Sequence, residues 1–333
     1  MIESITLAHG SGGSASRELM RNVFLRELHN PELEREGDAA LLTMESVHIA
    51  FTTDNFTVSP LFFNGGDLGK MAVCGTVNDL AVSGAEPKYL AAGFIIEDGF
   101  ALKDLERIVK SMSKTAFECG MKVVATDVKV VEKGKGDGIY INTTGIGIAR
   151  PDKLSGNIEP GDKLIVSGTL GEHELAVILE RKNLRTPVSI ASDCAPLNAL
   201  TRTLLEQTEG IKLMKDLSRG GLLSALYKAK NRFKYGVILQ EDSIPLKAEV
   251  KDLCRLLGLN ALYLANQGKL MAICDKASAP AIIQIMKQHP LGREAAVIGE
   301  ITAQFADKVV LHKATGEEII LSLKIGSESY RIC

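Results

Sequence analysis

The chain closes on "IGSESYRIC", which leaves a thiol, Cys333, on its last residue behind small and charged positions with no apolar periodicity to bury. Chain termini carry few contacts, so a thiol placed there is free to move and to react. The other five cysteines differ. Cys74 in "KMAVCGT", Cys254 in "VKDLCRLLG" and Cys274 in "LMAICDK" lie in apolar or periodic segments, where a thiol acts as a small hydrophobe, and Cys119 and Cys194 read as core or near-surface filler. No CxxC pair occurs, which argues against a zinc ribbon and against a dense disulfide framework.

Asp38 in "EGDAAL", Asp54 in "TTDNF", Asp79 in "VNDLAVSG", Asp127 in "ATDVK" and Asp216 in "KDLSRGG" each fall at a strand end or beside glycine and small residues. Any one of them alone reads as a turn residue or helix cap. Several converging would make a hard-cation site, because Mg²⁺ takes oxygen ligands and shares them with phosphates. An anion has its own candidate in "LAHGSGGSASRE", where His9 abuts Gly10, Ser11, Gly12 and Gly13 ahead of a helix expected over "SASRELMRNVFLREL". Glycines let successive amides point into one concavity, and a helix N-terminus adds favourable potential. A flexible N-terminal arm is the alternative reading of the same residues. "GGDLGKM" has one residue too few between its outer glycine and Gly-Lys and lacks the Ser/Thr of a P-loop, and no GxGxxG occurs. His173 in "LGEHELAV" has no second histidine at HExxH spacing, so it reads as an ordinary helix-face residue and not as a zinc ligand.

Positioning these groups requires a sizeable scaffold. At 333 residues, 45% hydrophobic and 24% charged, the chain has the size and composition of roughly two domains. Its formal net charge of -2, with both signs mixed along the sequence, excludes the electrostatic footprint of nucleic-acid or anionic-membrane binding. "MIESITLAHGSGG" has no basic segment leading into an apolar one, and no apolar run approaches a bilayer span, so a cytoplasmic protein is expected. Strands and helices alternate: "VHIAFTTD" (47–54) as strand, "GDLGKMAVCGTVNDLAVSGA" (66–85) as helix, "KYLAAGFII" as strand, and "LKDLERIVKSMSKTAFECG" as an amphipathic helix closed by Gly120. "MKVVATD" and "GIYINTTGIGIA" follow as strands. "RPDKLSGNIEPGD" (150–162) concentrates turn residues and marks the domain boundary. Beyond it come the strand "KLIVSGT", helices through about 229, and an α+β lobe of "GVILQ", "AEVKDLCRLLG", "KLMAICD", "SAPAIIQIMKQH" and closing strands. The expected division is an arm and helix over 1–36, a first domain over 37–150, a second over 151–323 and a mobile tail over 324–333.

Together "LAHGSGG", "TTDNFTVSPLFFNGGDLGKMAVCGTVNDLAVSGAEPKYL", "DVKVVEKG", "VSGTLGEHELAV", "SRGG", "LLGLNALYLANQGKL", "HPLGREAAVIGEI" and the terminal "RIC" resemble the HypE family of hydrogenase maturation factors, in order and over essentially the whole chain. That family lies in the ATP-binding superfamily of aminoimidazole ribonucleotide synthetase, selenophosphate synthetase and thiamine-monophosphate kinase. The resemblance implies a two-lobed α+β PurM-like fold, with first lobes pairing into a β-barrel across a homodimer and ATP in clefts at that interface. It implies Mg²⁺ and ATP phosphates on Asp38, Asp54, Asp79 and Asp216, with the arm from His9 to Gly13 folded over them. Lys70, Asn78, Asp127, Arg219 and Gly220 fall in the matching nucleotide-binding motifs. Cys333 would be a swinging acceptor that takes a carbamoyl group from the carbamoyltransferase HypF. ATP-dependent dehydration would then yield a thiocyanate, the source of cyanide for NiFe hydrogenase iron on the HypC–HypD scaffold. Ten residues from Lys324, extended at roughly 3.3 Å each, reach about 30 Å. Lys129 in "DVKVV" matches the family's lysine and is the first choice of base.

The chain departs from the family pattern at three places. Gln267 in "ANQGK" stands where a Glu is expected, and an amide exchanges hydrogen bonds but takes no proton as a carboxylate does. Val128 replaces a Thr and Tyr330 a Pro. A carrier that holds the carbamoyl group without efficient dehydration, or another kinase or synthetase of the superfamily, is the alternative function.

Overall fold

In the computed structural model, which describes residues 4–28, 30–184, 186, 189–324 and 331–332, a 3₁₀ turn at Leu7–Gly10 leads into helix α1 (Gly13–Leu19). The helix continues as a wider π turn over Met20–Leu25. The first lobe then builds β1 (Ala40–Met44), β2 (Val47–Phe56), a short hairpin of β3 (Phe62–Phe63) and β4 (Gly66–Asp67), and α2 (Leu68–Val82). It finishes with β5 (Ala85–Glu97), α3 (Leu102–Glu118), β6 (Lys122–Val131) and β7 (Ile139–Ala149). The five long strands form one sheet in the order β1-β2-β7-β5-β6, in which only β5 and β6 run parallel, joined by α3 as the crossover.

Period-two alternation sets the two faces of this sheet. On β2, Ala50, Thr52 and Phe56 are buried while Phe51, Thr53 and Asn55 are exposed. The inner face is covered by α2, which starts on an Asp67 cap that accepts from the Lys70 amide at 2.9 Å. Thirteen α2 residues are buried, so this helix has no solvent side. Its backbone approaches α3 at Gly69, where a Cβ would lie 2.2 Å from the Ile108 carbonyl oxygen. The outer face stays open: Phe51, Tyr89, Ile95, Ile146 and Ile148 are exposed, as are Val124, Val128 and Val130 on the edge strand β6.

The second lobe comprises β8 (Lys163–Val166), α4 (Glu172–Arg181), α5 (Asn198–Gln207), β9 (Ile211–Asp216), α6 (Gly221–Ala229), β10 (Gly236–Gln240), α7 (Ala248–Leu257), β11 (Leu270–Cys274), α8 (Ala279–Gln288), β12 (Ala296–Thr302), β13 (Val309–His312) and β14 (Glu318–Leu321). Its sheet runs β14-β13-β10-β12-β8-β11-β9. Leu200, Leu204, Ile282 and Met286 of α5 and α8 fill one side, and Leu222, Leu223 and Leu226 of α6 fill the other.

Two sequence expectations are corrected. The helical run through about residue 229 is broken by β9, all six residues of which are buried. Its charges conceal it: Lys212 is neutralised by Asp162 at 2.9 Å and Asp275 at 2.8 Å, and Lys215 by Asp38 at 3.0 Å. The end of the chain also has something to bury, since Ile332 is 4% exposed within the core of the first lobe.

Candidate functional site

Three elements bring carboxylates together. Asp38 precedes β1, Asp79 lies in the last turn of α2, and Asp216 ends β9; ligand oxygens from the three lie within 4.8 Å of one another. Thr52 of β2 ties two of them, donating to the Asp38 carbonyl and to Asp79 Oδ2, each at 3.0 Å. Lys215 Nζ donates to both oxygens of Asp38 at 3.0 Å.

The remaining charge is under-compensated. Burial pushes Asp79 well above the usual carboxylate range, with Asp216, Asp54 and Asp38 adding repulsion. Its position at the C-terminal end of α2 sets the helix dipole against it as well. Burial and Asp38 push Asp216 up to about 6. A cluster of acids that raise one another's proton affinity is the donor set a hard dication satisfies, so these residues fit Mg²⁺. A cavity of about 470 Å³ adjoins them, bounded in part by Glu36, Asp38, Leu41, Lys215, Lys228 and Arg232.

The arm meets the "SRGG" turn, whose Arg219 is three residues beyond Asp216. Gly12, at φ +80°, packs so that a Cβ would sit 3.1 Å from the Arg219 carbonyl oxygen, and Gly220 approaches the Gly13 amide. Arg219 pairs with Asp54 at 2.5 Å, at the end of β2. The arm is braced internally: the Gly12 amide donates to Ser16 Oγ at 3.0 Å, Ser16 Oγ donates to the His9 carbonyl at 2.7 Å, and Ser11 Oγ to that of Ala8 at 3.3 Å. His9 Nδ1 accepts from the Thr6 amide at 3.0 Å. Ser14 donates its amide to the Lys324 carbonyl at 3.1 Å, so the arm touches the stem of the C-terminal tail.

Other residues singled out from the sequence sit elsewhere. Lys70 donates to the Gly65 carbonyl at the opposite end of α2 from Asp79, roughly 14 Å along the helix axis. Asn78 is a clamp between lobes, donating to the carbonyls of Gln267 (3.0 Å) and Ala195 (3.2 Å) and accepting from the Leu197 amide (2.8 Å). Asp127 and Lys129 lie on the exposed edge strand β6. Gln267 is buried, and its backbone N–H donates to Asp193 Oδ1 at 3.0 Å. Cys333 lies outside the described residues; the other five cysteines are buried.

Sequence reasoning passed over His173. It is fully buried at the start of α4, with Nδ1 2.8 Å from Ser192 Oγ and Nε2 2.8 Å from the Ile332 carbonyl oxygen. Burial pushes its imidazole below the ordinary value. Asp193 stands beside it; burial opposes its charge, but Lys269 at 3.1 Å and the Gln267 backbone amide hold it below the usual carboxylate range. No local signal marked it as buried, because α4 also carries Glu172, Glu174, Glu180 and Arg181; its partners come from Ser192 and Ile332.

Residues 36–149 match the model of the AIR synthase related protein N-terminal domain, and residues 159–312 that of the C-terminal domain. Carbamoyl dehydratase HypE of Cupriavidus necator is 42% identical over 332 residues, covering 99% of this chain and 95% of that protein. The chain is similar to a solved HypE–HypF complex at TM-score 0.86 and 41% identity, covering 92% of this chain and 99% of the other. It is similar to HypE solved with ATP at TM-score 0.82 and 39% identity, covering 99% and 100%.

Proposed function

The chain belongs to the HypE family of carbamoyl dehydratases, built on the AIR synthase related fold, and from that premise we propose that it dehydrates an S-carbamoyl group on Cys333 at the expense of ATP, for hydrogenase maturation. The observation that carries this reading is the under-compensated Asp38–Asp79–Asp216 cluster, with Asp216 three residues ahead of the turn on which the glycine arm packs. Asp38, Asp79 and Asp216 would hold Mg²⁺ with Asp54 beside them, and the arm from His9 to Gly13 would cover the ATP phosphates. When bound, Mg²⁺ neutralises charge between the phosphates. Arg219, held by Asp54, and Gly220 keep the arm's docking surface in place.

ATP is required because an amide oxygen is a poor leaving group. Transfer of the γ-phosphoryl group to the carbamoyl oxygen forms a C–O–P linkage and releases ADP. Loss of the nitrogen's protons and departure of phosphate then leave a thiocyanate on sulfur. Lys129 is the base of choice, brought from the edge strand β6 to the cleft by the homodimer, since the neutral side-chain amide of Gln267 accepts no proton in the way a carboxylate does. HypF supplies the carbamoyl group, the HypC–HypD complex receives the product, and the reaction runs in the cytoplasm. The exposed apolar outer face of the first-lobe sheet, with β6 at its edge, fits a homodimer in which two such faces close on each other.

Intact-mass analysis after incubation with HypF, carbamoyl phosphate, ATP and Mg²⁺ tests the reading, with Gln267→Glu run in parallel. A carbamoyl adduct less one water on the C-terminal peptide of the unaltered chain is the expected result. A carbamoyl adduct that stalls there, while Gln267→Glu completes dehydration, makes the chain a carrier. No adduct on Cys333 in either protein refutes the proposal.

A further inference from the structure

The last described residues of the tail are held at several points, though the tail has few side chains with which to hold itself. The Arg331 carbonyl accepts from Arg181 Nη2 at 2.6 Å and from the Ser59 amide at 3.2 Å, while Arg181 Nε donates to the Ser59 carbonyl at 2.7 Å. The Arg331 guanidinium pairs with Asp137. Arg331 itself takes φ +53°, a left-handed conformation that a non-glycine residue adopts only when its surroundings impose it. Ile332 follows, with its side chain in the core and its carbonyl on His173.

The protonation of His173 follows from its partners. A carbonyl oxygen only accepts, so the ring must carry its proton on Nε2 to bond Ile332. Nδ1 is then an acceptor, served by the Ser192 hydroxyl, and Ser192 Oγ in turn accepts from the Cys194 amide at 3.0 Å. The Phe63 ring meets the imidazole edge to face at 5.5 Å, which fixes its plane. Ser192 sits next to Asp193, the carboxylate bonded to the Gln267 amide and to Lys269.

We propose that His173 is a positioning residue for Cys333: its neutral imidazole, locked as the Nε2–H tautomer by Ser192, grips the carbonyl of the peptide bond that carries the terminal cysteine. The inference deepens the function proposed above and rests on it for its meaning in catalysis. The grip itself is testable without that function. Holding the Ile332 carbonyl anchors the tail one residue before the cysteine, and a tethered group reacts faster when its tether is held than when it is loose.

The test compares His173→Ala, His173→Gln and the unaltered protein by the alkylation rate of Cys333 with iodoacetamide, read on the C-terminal peptide. The five buried cysteines report folding, because an unfolded variant labels more than one thiol. His173→Ala should raise the Cys333 rate about tenfold, the effect of losing one buried hydrogen bond. His173→Gln, whose side-chain amide can still donate, should restore most of the protection. With chain already carbamoylated by HypF, single-turnover dehydration at saturating ATP should fall about tenfold in His173→Ala, with ATP affinity and carbamoylation rate unchanged. Should His173→Ala label several thiols, Arg181→Met, at an exposed position of α4 that bonds the Arg331 carbonyl of the same tail segment, carries the alkylation test instead. Alkylation at the unaltered rate with one reactive thiol overturns the grip. Faster alkylation with unchanged or faster dehydration overturns its positioning role. A chain that shows the grip but never dehydrates its cysteine sinks the functional reading alone.

Discussion

Asp216→Asn should stabilise the metal-free protein while removing its response to Mg²⁺ and ATP. In the folded chain Asp216 is pushed from 3.8 to about 6, chiefly by burial and then by Asp38. Below both values the group is protonated in the folded and unfolded chain alike and affects stability little. Between them the unfolded chain gives up the proton while the fold retains it, and above about 6 the full penalty for ionising in place is paid. A rise of roughly 2.2 units at 1.36 kcal/mol each makes that penalty about 3 kcal/mol at most. Asn keeps the shape and can still accept from Ser218, which bonds the carboxylate. With unfolding entropy near 2.1 cal/mol/K per residue, 3 kcal/mol corresponds to a Tm gain of about 4 °C for a chain of this length. The assay is thermal unfolding in EDTA at pH 7.5 and pH 5, then at pH 7.5 with Mg²⁺ and ATP. The unaltered protein should gain stability as pH falls to 5 in EDTA, the variant should show little of that gain, and only the unaltered protein should respond to Mg²⁺ and ATP. A variant that melts below the unaltered protein at pH 7.5 in EDTA would refute the view that the cluster is electrostatically strained without its cation.

Asp38→Ala strands the buried Lys215 ammonium and should cost about 3–5 kcal/mol in urea denaturation, whereas Asp38→Ala with Lys215→Met should recover most of it. Gly12→Ala forces a side chain onto the Arg219 carbonyl at a left-handed position, and should raise the KM for ATP about tenfold with Tm nearly unchanged. At pH 8 native protein should label at one thiol per chain, because burial pushes Cys119 and Cys274 up to about 12 and Cys254 to about 11; full labelling should require denaturant. Val128→Asp, on the exposed outer face of the first-lobe sheet, should halve the mass measured by light scattering if two copies pair through that face.

The strand and helix order of the first lobe was legible because its periods are clean, as in the alternation of β2 and the amphipathic α3. The carboxylates that converge were among the candidates, Asp38 between Gly37 and Ala39 and Asp216 at a strand end ahead of "SRGG", but their meeting was not legible, since Asp54 and Asp127 read the same way. β9 was not legible, because Lys212, Lys215 and Asp216 interrupt its apolar pattern. Their burial depends on Asp162, Asp275 and Asp38, which local sequence cannot see. Lys70 shows what a motif leaves open: it shares a stretch with Asp79, yet α2 places the two residues more than two turns apart. His173 was misread for the same reason as β9, with a partner 159 residues away deciding its role.

The hydrogen bond from Ser14 to Lys324 joins residues 310 apart in sequence, at the two extremes of the chain. Lifting the arm off the Arg219–Gly220 turn also breaks its bond to Lys324, so the positions of the arm and of the tail's stem are thermodynamically linked: whatever holds one favours the other.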